Sequence, residues 1–168
     1  DALFKYQAGA FPGSPVMNGC MCGFAPYDIA NVRTVGYDVV CNRPKATAYR
    51  APGSPISAFA VESTMDMVAA KIGMDPLQFG KEHGQDRNAD SLGPKHAHEG
   101  FAETIEALLR HPGYTAPLGK NQGRGAASGY WFNGGGESSA TVHVNEDGTV
   151  VVATGSPDIG GSRASIAL

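Results

Sequence analysis

The sequence predicts an α+β fold, a mixed sheet that includes a hairpin and is accompanied by about three helices. Two observations carry that prediction. Runs rich in β-branched and aromatic residues stop at turn punctuation, as "VRTVGYDVV" does before Asn42-Arg43-Pro44, which is how strands end. Elsewhere, proline stands at the start of stretches whose apolar residues recur at helical spacing. At 168 residues the chain is long enough to bury a core without disulfides or metal, and residues 1–168 read as part of one domain that continues beyond both ends.

Taken in order, residues 32–40 form a strand and residues 45–50 a second, short one. Ser54 is expected as an N-cap with Pro55 at the first helical position, and the helix runs to about residue 71, where Gly73 closes it. Ile56, Phe59, Ala60, Met67, Val68 and Ile72 fall mostly at helical spacing, so their face is expected to be core. The next helix opens at "DPLQ", where Asp75 caps, Pro76 takes the first position and Gln78 completes a capping box. Past a polar stretch, Phe101, Ile105, Leu108 and Leu109 line a third helix that stops at His111-Pro112-Gly113. "SSATVHV" and "TVVVAT" then flank Asn145-Glu146-Asp147-Gly148, a hairpin connection. The glycine-rich "GSPDIGGS" leads to a final helix with Ser162 as its cap. That helix is too short to stand alone and is expected to continue past Leu168.

Composition narrows the function. A net charge of −3 with both signs scattered offers no footprint for nucleic acid or for an anionic membrane. There is no apolar run of the ~18 to 20 residues that spans a bilayer. Cys20, Cys22 and Cys41 make an odd count with one close pair, which reads as reduced thiols in an intracellular, cytoplasmic protein. A zinc site joining Cys20 and Cys22 to His96, His98 and Glu99 is the weaker reading, since nothing between the two segments brings them together.

Two strand-to-helix turns share a build, "YRAPGSP" and "GSPDIGGS". Each sets free backbone N–H groups at a helix N-terminus and uses glycine or proline to bring the backbone close to whatever sits there. Singly, such turns are ordinary connectors. Together, and with Arg50 in one of them, they point to an anionic ligand without identifying it.

The run "ANVRTVGYDVVCNRPKATAYRAPGSPISAFAVESTMDMVAAKIGMDP" resembles the molybdopterin-binding large subunit of the xanthine dehydrogenase and aldehyde oxidase family, the molybdenum hydroxylases. The resemblance continues in the family's order through "GRGAASGYWF" and "ATVHVNEDGTVVVATGSPDIGGSRAS", and leaves out only the loop around residues 86–99. It implies a fold that forms part of the molybdenum-cofactor-binding domain. It also implies a molybdenum ion held by a pterin dithiolene, which in many bacterial members carries a cytosine dinucleotide. No side chain here is then a metal ligand.

Residue by residue, the resemblance places Arg50 and Ala51 at the cofactor and turns Pro52 toward substrate. Purine-oxidising members have a stacking phenylalanine at that third position and an arginine where this chain has Asn18, so the two departures speak against a purine and for an aldehyde or another heteroaromatic. Tyr130 and Trp131 match a strand on the far wall of the substrate pocket. Gly160, Gly161 and Ser162 match the second cofactor loop, with Gly161 where many members have a glutamine.

The reaction so implied inserts a water-derived oxygen into a C–H bond, with a glutamate as base. That glutamate lies beyond Leu168 in the family pattern, so Glu62 and Glu137 are expected to be solvated or structural. Iron–sulfur clusters and FAD are expected on other domains or subunits, since Cys20-Met21-Cys22 has the wrong spacing for a cluster. The expected partners are the rest of the large subunit, those electron-transfer modules and a small-molecule substrate. A piece of this length is expected to be inactive alone. The competing reading is a non-catalytic anion-binding or interaction module that keeps the family fold.

Overall fold

The structure is a computed structural model that describes residues 1–84, 100–132, 136–155 and 159–160. The chain divides into two compact units, Asp1–Phe132 and Asn133–Leu168.

The first unit opens with β1 (Ala2–Gly9), α1 (Val16–Cys22) and β2 (Thr34–Val40). β1 and β2 pair in parallel from Ala2 opposite Thr34 to Gln7 opposite Val39, with a register shift before Gly9. β1 is a strand because its residues alternate: Phe4, Tyr6 and Ala8 are buried while Leu3, Lys5 and Gln7 are exposed. Parallel strands need a crossover, and α1 lies in it. A Cβ on Gly36 would meet Cys20 Sγ and Val16 Cγ2, each at 2.8 Å, so glycine is what lets α1 lie against β2. Neither β1 nor α1 was among the sequence-predicted elements. Conversely, residues 45–50, expected as a strand, join no ladder: Ala46 N donates to Ala8 O at 2.9 Å, and the segment otherwise runs as an extended connector.

α2 (Ser54–Ile72) ends at Gly73, whose φ of 73° closes the helix in the left-handed conformation. Its start differs from expectation. Gly53 is the N-cap, Ser54 is already helical, and the Ser54 hydroxyl makes no capping bond. The packing face differs too. Phe59 is 77% exposed and Met67 73%, and Ile56, Ala60, Val68 and Ile72 are also exposed, while Ser54, Ser57, Val61 and Ala69 face inward. The reason is close approach. Gly19 and Gly23 of the α1 segment press on Ser57, and only small side chains leave room for that contact. The core therefore gathers Phe4, Tyr6, Tyr27, Val61, Ala69 and Phe79, flanked by Val16, Phe24, Met65 and Met74.

α3 (Pro76–His83), α4 (Phe101–Arg110) and the four-residue α5 (Pro112–Thr115) complete the unit, so the described residues hold five helices, two of them short. Asp75 Oδ1 accepts from Leu77 N at 2.9 Å and Gln78 N at 3.1 Å, as the expected cap should. The reciprocal half of the capping box is missing, since the Gln78 amide donates to Glu82 instead. Ile105 is the buried residue of α4 and packs at Gly80 of α3. α5 follows directly because Pro112, unable to continue α4, starts a new turn instead.

In the second unit, β3 (Ala140–Val144) and β4 (Val150–Thr154) form the expected antiparallel hairpin, with Val142 opposite Val152. Asn145 N donates to Thr149 O and Gly148 N to Asn145 O, and Gly148 supplies the φ of 83° that the turn requires. All ten strand residues are exposed. The expected final helix at Ser162 lies outside the described residues.

Candidate functional site

The turn before α2 is bent into a conformation that most side chains avoid. Arg50 has φ 24° and Ala51 φ 53°, both left-handed and neither glycine, and Gly53 follows at φ 88°. A Cβ on Gly53 would run into Pro15 O and lie 2.9 Å from Gly19 N, so the turn is pressed against the start of α1. Gly19 is confined in the same way, with Tyr6 Oη and Ser57 Oγ where its Cβ would be. Tyr6 Oη donates to Gly53 O at 2.7 Å and lies 2.8 Å from Ser57 Oγ. The phenol's one proton goes to the carbonyl, so Ser57 must be the donor in the second bond. Burial, the larger effect, raises the Tyr6 pKa against the opposing pull of the Ser57 bond, so the phenol is protonated near neutrality and free to donate.

Asn18 sits next to Gly19 in α1 and is half-buried, which places it beside the turn that carries Arg50, Ala51 and Pro52. Arg50 is exposed, while Ala51 and Pro52 are half-buried. Tyr130 is drawn in from the other side, because Ser54 Oγ donates to Tyr130 O at 2.6 Å. Trp131 is 41% exposed, and its ring and that of Tyr130 both lean on Phe132, at centroid distances of 4.5 and 6.3 Å. Tyr130 and Trp131 were expected in a strand, but residues 123–132 join no ladder. Two hydrogen bonds with α2 hold this segment instead, the one from Ser54 and one in which Ser128 N donates to Glu62 Oε2 at 2.6 Å, while Glu62 Oε1 accepts from Tyr27 Oη at 2.6 Å. Glu62 is thereby a structural carboxylate, as expected. Burial, with that bond to Glu62, pushes the Tyr27 phenol well above its ordinary range. A cavity of about 340 Å³ lies between α2 and residues 126–128, lined by Pro55, Ala58, Phe59, Glu62, Ala126 and Ser128.

The first turn of α2 is thus the meeting point of Asn18, the Arg50–Pro52 turn and Tyr130. No side chain caps α2, but its leading N–H groups are largely accounted for, since Ser54 N donates to Ala51 O at 3.0 Å, Ser57 N donates to Gly53 O at 3.2 Å and Pro55 has none. What the turn offers an anion is the positive end of the helix dipole and the nearby charge of Arg50. Such a place suits an anionic group that the backbone can approach closely. Of the second expected loop, Gly160 is described, with φ 120°, and belongs to the other unit, while Gly161 and Ser162 lie outside the described residues. His96, His98 and Glu99 lie outside them as well. Among the described residues no three His, Cys, Asp or Glu side chains gather as a metal site, and Cys20, Cys22 and Cys41 are free thiols. Glu137 is exposed, as expected.

Sequence reasoning missed Tyr6, Gly19, Gly53 and Ser57 as the support of the turn. The available signal was the alternation of "LFKYQAG", which buries a tyrosine whose hydroxyl then needs a partner.

Residues 3–82 match the family model of the molybdopterin cofactor-binding domain. The chain is 34% identical over 150 residues to the aldehyde oxidoreductase of Megalodesulfovibrio gigas, a match that covers 81% of this chain and 16% of that protein. It is 30% identical over 155 residues to aldehyde oxidase 2 of Cavia porcellus, covering 80% of this chain and 11% of that one. Over 118 residues it is also 30% identical to one subunit of a probable xanthine dehydrogenase from Bacillus subtilis, covering 66% and 15%. Among solved structures, the aldehyde oxidoreductase from Desulfovibrio gigas superposes with a TM-score of 0.63 at 28% identity, over 89% of this chain and 18% of that one. The aldehyde oxidoreductase from Desulfovibrio desulfuricans gives 0.62 at 26%, with the same coverage. The chain spans less than a fifth of the length of each of these relatives.

Proposed function

Since the chain belongs to the molybdopterin-binding family of the xanthine dehydrogenases and aldehyde oxidases, we propose that it forms one side of the active centre of a molybdenum hydroxylase acting on an aldehyde or a heteroaromatic compound. The observation that carries this reading is the convergence of Asn18, the Arg50–Pro52 turn and Tyr130 on the first turn of α2. When bound, the molybdenum–pterin group supplies the redox centre that accepts two electrons as substrate and water become the hydroxylated product and two protons.

The residues fit such a group. Arg50 and Ala51 offer an accessible backbone in a left-handed turn, and the Arg50 cation suits the phosphate of a pterin, in either its simple or its cytosine dinucleotide form. Gly160, Gly161 and Ser162 are proposed as the second contact to the same group. Pro52, Asn18, Tyr130 and Trp131 are proposed to face substrate. Pro52 has no ring to stack on a purine, and the Asn18 amide can orient a carbonyl or ring nitrogen by hydrogen bonding without supplying charge. Trp131 and Tyr130 provide an aromatic wall for a flat, apolar substrate.

The remainder of the large subunit, iron–sulfur and flavin modules that remove the electrons, and a cytoplasmic location complete the proposal. No helix among the described residues is long and apolar enough to cross a membrane. The test is to purify the full-length protein with its co-purifying partners, measure molybdenum and pterin per chain, and assay aldehydes, heteroaromatics and purines with an artificial electron acceptor. Stoichiometric molybdenum with aldehyde or heteroaromatic turnover is expected. A metal-free protein that still binds anions would point instead to a non-catalytic module, and a preference for purines would overturn the roles given to Asn18 and Pro52.

A further inference from the structure

The Tyr6 hydroxyl is buried beneath the Arg50–Gly53 turn. Tyr6 is 6% exposed and Ser57 0%. Their two hydrogen bonds form a chain, from Ser57 Oγ to Tyr6 Oη to Gly53 O, that runs from the second turn of α2 through a β1 side chain to the carbonyl of the cap residue. Gly19 and Gly53 leave the space that this chain fills, since a Cβ on Gly19 would strike the phenol oxygen and lie 2.7 Å from Ser57 Oγ. Above it stand two residues, Arg50 and Ala51, in backbone conformations that cost of order 1 to 3 kcal/mol each. A strained turn persists only where its surroundings over-determine it: Ser54 N donates to Ala51 O and Ser57 N to Gly53 O along the backbone, and Tyr6 adds a side-chain hydrogen bond to Gly53 O from beneath.

From this we infer that Tyr6, with Ser57 behind it, is a positioning residue: it holds the Gly53 carbonyl and thereby keeps Arg50, Ala51 and Pro52 in the shape that meets cofactor and substrate. The inference rests on the active-centre reading above. It assigns Tyr6 no contact with either ligand. Without the hydroxyl, the Gly53 carbonyl keeps only the longer bond from Ser57 N, at 3.2 Å, and the turn is freer to relax toward ordinary φ values, while the apolar core around the Tyr6 ring remains filled.

The experiment uses the full-length protein with its partners and compares Tyr6→Phe, Ser57→Ala and Tyr114→Phe with the parent. Tyr114→Phe serves as the comparison because it removes one tyrosine hydrogen bond, that to Asp75, away from the turn. Three quantities are read: melting temperature, molybdenum per chain after prolonged dialysis, and kcat and KM for an aldehyde. Tyr6→Phe and Ser57→Ala are expected to lower retained molybdenum or kcat roughly fivefold to tenfold, the effect of about one buried hydrogen bond, by more than any loss of melting temperature they share with Tyr114→Phe. Tyr114→Phe should keep its molybdenum and its kcat. If Tyr6→Phe and Ser57→Ala retain parental molybdenum and kinetics, or if all three variants lose molybdenum in proportion to their loss of melting temperature, the positioning role is wrong. Should Tyr6→Phe fail to fold, Ser57→Ala decides the matter: it leaves the Tyr6–Gly53 bond but takes away the partner that fixes the Tyr6 hydroxyl, so parental molybdenum and kinetics in that variant overturn the positioning chain as proposed. A parent protein without molybdenum would instead overturn the active-centre reading itself.

Discussion

Ser54 was expected to cap a helix and instead fastens a neighbouring segment to it. Its hydroxyl donates to Tyr130 O from a buried position, so Ser54→Ala leaves that carbonyl without its donor. The variant is expected to lose about 1 kcal/mol of stability. On the active-centre reading proposed above, KM for an aldehyde in the full-length protein should rise several-fold with kcat changed less, because the proposed substrate wall moves and the Arg50–Gly53 turn does not. An unchanged KM would show that Tyr130 does not need the tether. Asp38 offers a second test at this scale. Its carboxylate accepts from Gly13 N at 2.6 Å and Ser14 N at 3.1 Å, and the Gly13 bond is the leading cause of its lowered pKa. A carboxyl whose pKa is depressed in the folded state stabilises that state above its unfolded value of about 3.9, and the contribution is lost as the pH falls through the folded value. Residues 10–15 should therefore loosen only once the pH has fallen below the ordinary aspartate range, read as lower protection of the Gly13 and Ser14 amides relative to their intrinsic exchange rates. In Asp38→Asn the same amides should exchange faster at neutral pH, with no further acid step.

Among the elements, α3 depends on a single side chain at its start. Asp75 caps Leu77 N and Gln78 N with one oxygen and accepts from Tyr114 Oη at 2.7 Å with the other. Burial first, and that bond to Asp75 second, push the Tyr114 phenol up to about 12. Asp75→Ala removes cap and link together and should cost about 1 to 2 kcal/mol, whereas Asp75→Asn should cost less because an amide oxygen still caps. A chemical denaturation midpoint for each variant checks the order. Elements of this kind are legible in a sequence because their signals are local: Pro55 and Gly73 bound α2, Asp75 starts α3, and Asn145 to Gly148 turn the hairpin. What is not legible is the direction in which an element faces. The large apolar residues of α2 suggest a core face by size, yet the inward face is Ser54, Ser57, Val61 and Ala69, chosen by how closely α1 and β1 approach. α1 is hidden for a related reason. Its seven residues include Gly19, a poor helix former that is there to make room for Tyr6 and Ser57. The site followed the same rule: Arg50 to Pro52 were readable from their turn, and the tyrosine beneath them, 47 residues away from the carbonyl it holds, was not.

At the scale of the molecule, the exposed apolar surface is extensive for a chain of this size. Phe59 and Met67 stand out from α2, and Val142, Val144, Val150 and Val151 from a two-stranded hairpin exposed along its whole length. Burial is worth roughly 25 cal/mol per Å², so a few hundred Å² left in water forgoes several kcal/mol, a large part of the ~5 to 15 kcal/mol that holds a domain folded. A polypeptide of only these 168 residues is therefore expected to self-associate and to hold no molybdenum cofactor tightly. Size-exclusion chromatography with metal analysis checks this: a monodisperse, cooperatively melting monomer with stoichiometric molybdenum would overturn it. The bond between Ser54 and Tyr130 also has a history in time. It joins residues 76 positions apart, and a ribosome adding roughly 5 to 20 residues per second delivers Tyr130 about 4 to 15 s after Ser54. Tyr6, Gly53 and Ser57 have all been made by then, so a nascent chain can finish the Arg50–Gly53 turn while residues 128–132 are still to come. The turn comes first, and the tether that Ser54 makes to Tyr130 closes on it later.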